Sequence, residues 1–149
     1  TYSDQAKDAL IGCGITRHII PYELNDKELL QRDLTDDILT IYGYIPMMIT
    51  ANCLHHNTAG CDKTESRLFL IDRLNNHFPV RNKCKECYNI IYNHLPMSLF
   101  KAEKELKKLH TGGFRISFTI EDAKETARIL DMHSTNRETT YGHFRRGVE

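Results

Sequence analysis

The sequence predicts an α/β fold interrupted by an inserted, cysteine-rich hairpin block. Three observations lead there. A strand–helix–strand pattern fills residues 1–45, four cysteines crowd into residues 46–95, and helix and strand return over residues 96–133. A polar, unperiodic tail, 134–149, follows.

Ser3 is placed to cap a first helix running through Cys13, with Ala6, Ala9, Leu10 and Cys13 on one face and Gly14 as the left-handed stop. On that face Cys13 reads as a core residue. Thr16–Ile20 reads as a short strand broken by Pro21. Asn25 and Glu28 then spell a capping box, with Leu24 and Leu29 as its hydrophobic staple, for a helix ending near Leu34. Ile38–Tyr42 is apolar enough for a strand buried on both faces, and the spacing suggests a parallel βαβ unit.

The middle carries few helix signals. Arg67–Ile71 alternates into a strand, Leu74-Asn75-Asn76 turns, and His77–Arg81 returns. Later, Leu99, Ala102, Leu106 and Leu109 mark Ser98–Leu109 as an amphipathic helix, with Glu103 and Lys107 spaced as an ion pair. Gly112-Gly113 ends it, and Phe114–Phe118 is a strand. Thr119 is placed to cap a last helix with Ile120, Ala123, Ala127 and Leu130 on one side.

The bulk properties narrow the function. With 149 residues, 20 Lys+Arg and 20 Asp+Glu, the chain has no net charge to draw in nucleic acid or an anionic membrane. The local basic groups Arg81, Lys83 and Lys85 read as a solvated face. No apolar run reaches the roughly 20 residues that span a bilayer, so no membrane partner is expected. The opening run Thr1–Asp8 is polar and has no initiator Met, which suggests a piece of a longer protein without a signal peptide. Five cysteines, an odd number with close pairs, suit a reducing cytoplasm and a metal site better than a disulfide framework.

The chemistry-bearing pattern is Cys53-x7-Cys61-x22-Cys84-x2-Cys87. Two thiolates of a C-x2-C turn reach one metal with little strain, and a hairpin can bring two more beside them. Zinc and iron–sulfur clusters both take such sets; the alternative is four unconnected, redox-idle cysteines. His55 and His56 are alternative ligands or loop-packing residues. No H-E-x-x-H and no G-x-S-x-G occurs.

The run Tyr42-Gly43-Tyr44-Ile45-Pro46-Met47-Met48-Ile49-Thr50-Ala51-Asn52-Cys53 resembles a segment of collagenase-like peptidase-family proteins. Asn57–Cys61, Asp72-Arg73, Phe78-Pro79-Val80, Cys84–Asn89 and Ile91-Tyr92-Asn93 follow in that family's order, as does the ending Gly142–Glu149. One position departs, since Pro46 stands where the family's short pattern has a cysteine and Cys61 restores the count of four. The resemblance implies the C-terminal half of a TIM-barrel-like catalytic domain, with the rest of the parent chain as its partner. Such a half leaves strand edges open, which invites a homodimer. The resemblance also implies peptide-bond hydrolysis of a protein or peptide substrate, and carries no catalytic residues onto this sequence. Some relatives in the family instead bind a [4Fe–4S] cluster and support hydroxylation of RNA bases or a quinone precursor, and a third reading is a metal-stabilised structural or binding module. Either zinc or [4Fe–4S] would be held by Cys53, Cys61, Cys84 and Cys87. His143, Arg145 and Arg146 are candidate contacts to an anionic substrate group.

Overall fold

A computed structural model describes residues 3–146, apart from the side chain of Ala59. The end of the tail, 147–149, lies outside the described residues. The chain forms two compact units, one built from the chain up to Gly43 and from Met97 onward, the other Tyr44–Pro96. Each holds a four-stranded sheet, and neither sheet closes into a barrel.

The first unit begins with α1, Asp4–Gly12, capped by the Ser3 hydroxyl, which accepts from the Ala6 amide at 3.2 Å. α1 buries no side chain, and Cys13 is exposed rather than in the core. The reason is local: Cys13 ends the helix, where its amide closes on Ala9 and Leu10 carbonyls. A buried ionic contact ties α1 down instead. The Lys7 ammonium lies 3.1 Å from Asp37 Oδ2, and His18 Nδ1 lies 3.2 Å from Asp37 Oδ1. With a carboxylate as acceptor, Nδ1 is the donor.

β1 is His18–Ile19, and α2 is Asp26–Leu29. The capping box forms as the sequence spells it: Asn25 Oδ1 accepts from the Lys27 and Glu28 amides, and Glu28 Oε2 accepts from the Asn25 amide at 2.8 Å. The helix is one turn long and stops at Leu30, short of Leu34. β2, Asp37–Gly43, is the unit's central strand. β1 runs parallel to its first residues, and β8, Gly113–Ser117, runs parallel along Ile38–Gly43 on the opposite side. β7, Met97–Ser98, pairs antiparallel with the last two residues of β2.

That pairing changes the expected amphipathic helix. The Ser98 and Leu99 amides are taken by the carbonyls of Thr140 and Ile41. Helix therefore starts late, as a 3-10 turn at Phe100–Ala102 and then α4, Glu103–Leu106. Leu99, Ala102 and Leu109 are still buried, and Lys107 pairs with Glu103 at 2.6 Å. The last helix, α5, Ala123–Met132, also starts later than Thr119. Its cap is Asp122, whose carboxylate accepts from the Glu125 amide at 2.7 Å. Glu121 has already taken the Thr119 and Ile120 amides. Ile129 is the side chain α5 buries, while Leu130 is exposed.

The second unit is an antiparallel sheet in the order β3-β6-β5-β4. β3 is Pro46–Thr50, and a single-turn helix α3, Leu54–Ala59, follows it. β4, Arg67–Ile71, and β5, His77–Lys83, form the hairpin expected from sequence, and β6, Tyr88–Tyr92, completes the sheet. Strands β3 and β6 had no alternating pattern to announce them. Met47, Met48 and Ile49 are all exposed, so β3 has no consistent buried side.

The hairpin turn is organised by Asp72. Its Oδ1 accepts from the Leu74 and Asn76 amides at 2.8 Å each, and its Oδ2 accepts from Asn76 Nδ2 at 2.8 Å. Asn75 occupies the left-handed region at φ 62°, which asparagine tolerates. Asn76's side chain and then its amide hold the Asp72 carboxyl below its usual value, with Leu74 adding to them. A lowered folded value means that the turn's stabilisation is complete above about pH 4, the unfolded carboxyl value. It is lost as pH falls through the lower, folded one. Hydrogen exchange at the Asn76 amide should accelerate over that acid window, and Asp72→Ala should make it fast and insensitive to pH beyond the intrinsic rate.

Candidate metal centre

The second unit's cysteines lie on three loops of one sheet. Cys53 follows β3 and is the N-cap of α3, its sulfur accepting from the His56 amide at 3.4 Å. Cys61 sits just past α3, after Gly60 at φ 84°. Cys84 and Cys87 lie on the β5–β6 turn, closed by the Glu86 amide on the Lys83 carbonyl at 3.2 Å. Cys87 takes a left-handed φ of 55°. The short C-x2-C connection thus forms the tight turn that its spacing implies.

Cys84 is the focus of the cluster. Partial burial pushes its thiol up, and the charges of Cys53, Cys61 and Asp62 push it further in the same direction; a hydrogen bond from the Asn82 side chain opposes them. Asn82 Nδ2 also reaches Cys53 Sγ at 3.8 Å, so one amide bridges two of these cysteines. Cys87 is turned differently, with its thiol donating toward the Cys84 carbonyl at 3.7 Å. All five cysteines are free thiols. Among the described residues, no three Cys, His, Asp or Glu side chains form a ready-made metal cage.

Polar neighbours surround the thiols. His55 Nδ1 lies 3.6 Å from Asp62 Oδ1. Asp62's carboxyl is held below its usual value, first by the Thr64 amide and side chain and then by His55. Asn82 and Asn89, paired across β5 and β6, are both fully buried. Asn89 Nδ2 donates to the Asn52 carbonyl at 2.9 Å, which pins the start of the Cys53 loop. Asn82 and Asp62 were not legible as site residues. Asn82 lies in the strand between Arg81 and Lys83, and no spacing rule marks an amide that bridges sulfurs.

Thiolates are the ligands that zinc and iron–sulfur clusters take, yet among the described residues no three Cys, His, Asp or Glu side chains are placed to hold a metal ion.

The tail residues are placed elsewhere. Arg145 is tied to Glu105 at 3.1 Å and lies over the Tyr141 ring at 4.0 Å, and the Arg146 amide closes on the His143 carbonyl. Between them Phe144 is buried, and its carbonyl accepts from the Asp26 amide at 2.8 Å. This segment belongs to the first unit, and Arg145 has two partners within it.

Comparison of the chain with protein-family models, with curated proteins and with solved structures found no match.

Proposed function

We propose that this chain is the C-terminal part of the catalytic domain of a collagenase-like peptidase-family protein, and that its second unit holds a thiophilic metal ion or cluster. The observation that carries the metal reading is the Asn82 side-chain amide, which lies 3.8 Å from Cys53 Sγ and hydrogen-bonds to Cys84. The family reading rests on the ordered segments from Tyr42 to Asn93. The parallel strands β1, β2 and β8 support a share in a TIM-barrel-like sheet. Peptide hydrolysis is the activity that the resemblance implies, in a reducing cytoplasm that keeps thiols free.

The residues have definite tasks in this reading. Cys53, Cys61 and Cys84 supply thiolate ligands, and Cys87 joins them by giving up its contact with the Cys84 carbonyl. Asn82 orients two of the sulfurs, and Asp62 with His55 sets the charge beside them. Zinc bound there would clamp the α3 loop to the β5–β6 turn, whereas a [4Fe–4S] cluster would supply electron transfer. The same cysteines favour a second reading of function, iron–sulfur-dependent hydroxylation of RNA bases or of a quinone precursor.

The test is metal affinity in single variants of the full-length protein. Asn82→Ala should weaken binding by roughly 10–100-fold, as loss of an outer-shell partner does. Cys53→Ser, Cys61→Ser and Cys84→Ser should each weaken it more, and Cys13→Ser should leave it unchanged. Equal binding by wild type and the Cys84→Ser variant would remove the metal reading. Peptide cleavage assays against RNA- and quinone-hydroxylation assays separate the two activities.

A further inference from the structure

The first unit contains a second polar site, independent of the cysteines. Where β7 passes into the 3-10 turn, a cavity of about 220 Å³ opens between that segment and the loop after α5. Lys101, His133 and Arg137 line it, together with the hydroxyl side chains of Ser98, Ser134 and Thr139. Lys101 and Arg137 are cations from distant parts of the sequence.

The cavity lies at the carboxyl end of the parallel pair β2 and β8. Ser98 pairs with Tyr42, the penultimate residue of β2. The Tyr42 ring stacks on Phe100 at 5.8 Å, and Phe100 in turn meets the edge of His133 at 5.7 Å. Ligands of parallel sheets gather at this end of the strands.

The loop wall is fixed in place. The Thr135 hydroxyl bonds to the Glu125 carboxylate of α5 and accepts from the Arg137 amide at 3.2 Å. Arg128 Nη1 donates to Asn136 Oδ1, and the Ser98 amide donates to the Thr140 carbonyl at 2.9 Å. His133 itself is held in the left-handed region, φ 46° and ψ 42°. Among the described residues no carboxylate lines the cavity. Glu125, on α5, is engaged by Thr135 and Arg128.

We propose that this cavity binds the phosphate group of a small phosphate monoester. A phosphate monoester offers close to two charges and three terminal oxygens. Two cations, an imidazole and three hydroxyls match that number of acceptors better than the single charge and two oxygens of a carboxylate. Phe100, also in the lining, gives the organic part of the ligand an apolar wall.

The experiment is a titration of the full chain with inorganic phosphate, then with ribose 5-phosphate, followed by amide and imidazole NMR shifts. Saturable shifts are expected at His133, Ser134 and Thr139, with ribose 5-phosphate the tighter ligand. Lys101→Ala and Arg137→Ala should each raise Kd by about tenfold, the loss of one charge-assisted contact. Lys104→Ala, outside the lining, should change nothing. Both arginine and lysine variants can be checked for native shifts elsewhere, so a folding defect is distinguishable from lost binding. Saturation by acetate or by a peptide carboxylate in place of phosphate would overturn the proposal. So would shifts that follow ionic strength alone or that persist unchanged in both variants.

Discussion

Replacing Glu121 by alanine is expected to cost the first unit about 3–5 kcal/mol, because three donors would lose their acceptor at once. The Tyr42 hydroxyl donates to Oε1 at 2.9 Å, and the Thr119 and Ile120 amides donate to Oε2 at 2.6 and 3.0 Å. Tyr42 has no exposed surface and Glu121 is 8% exposed, so water cannot substitute freely. The loss also reaches packing, since the Tyr42 ring is stacked on Phe100 and tilted against Phe118. Glu121→Gln keeps one oxygen acceptor and should lose roughly half as much. Urea midpoints at constant slope measure both. A loss below about 1 kcal/mol for the alanine variant would mean that the network is open to solvent.

Gly43→Ala is expected to be nearly as damaging, by about 2–5 kcal/mol, for a different reason. Gly43 has φ 148°, a conformation that side chains rarely adopt. A β-carbon there would sit 2.7 Å from the Ser117 carbonyl oxygen and 3.0 Å from its Cβ. That oxygen belongs to β8, paired with β2 at this very residue, so it cannot retreat without opening the ladder. Gly113→Ala is the control. Its β-carbon would meet nothing within 4 Å, and Gly113 is the first residue of β8, so little change is expected there. Thermal midpoints that fell equally in both variants would contradict the steric argument.

Where the sequence carried explicit chemistry, the local structure could be read from it. Asn25 and Glu28 form their capping box because each side chain finds its acceptor or donor within three residues, with no help from distant contacts. The β4–β5 hairpin was legible for the same reason, its turn being built by Asp72 on its own neighbours. Contacts outside the local helix signals set the elements that the sequence pattern places differently. Ser98 to Leu109 has a helical pattern, yet its first amides bond to Thr140 and Ile41, which no local signal foretells. Thr119 had the chemistry of a cap, but Glu121 supplies the acceptor and Asp122 caps the helix. Cys13 and Leu130 were assigned to core faces from periodicity and are exposed, because α1 and α5 bury fewer residues than their patterns offer.

The candidate metal site was partly legible. Spacing singles out the four cysteines, and the Asn82 side chain links two of them, Cys53 and Cys84. Spacing did not reveal Asn82, Asn89 or Asp62, whose roles depend on the register of β5 against β6 and on the course of the loop after α3. The tail residues His143, Arg145 and Arg146 were chosen for charge alone. Arg145 is paired with Glu105 and lies over the Tyr141 ring, and the apolar residue between His143 and Arg145, Phe144, is the buried one.

The most direct test of the account is an ultraviolet–visible spectrum with zinc, iron and sulfide analysis, made on full-length protein purified anaerobically. A stoichiometric thiolate-bound metal is expected: either matched iron and sulfide with a broad visible charge-transfer band, or zinc without one. Loss of Cys84 should abolish whichever signal is present, while Cys13→Ser should leave it intact. Metal-free protein with all its thiols freely reactive, and unable to take up zinc or a reconstituted cluster, would contradict it.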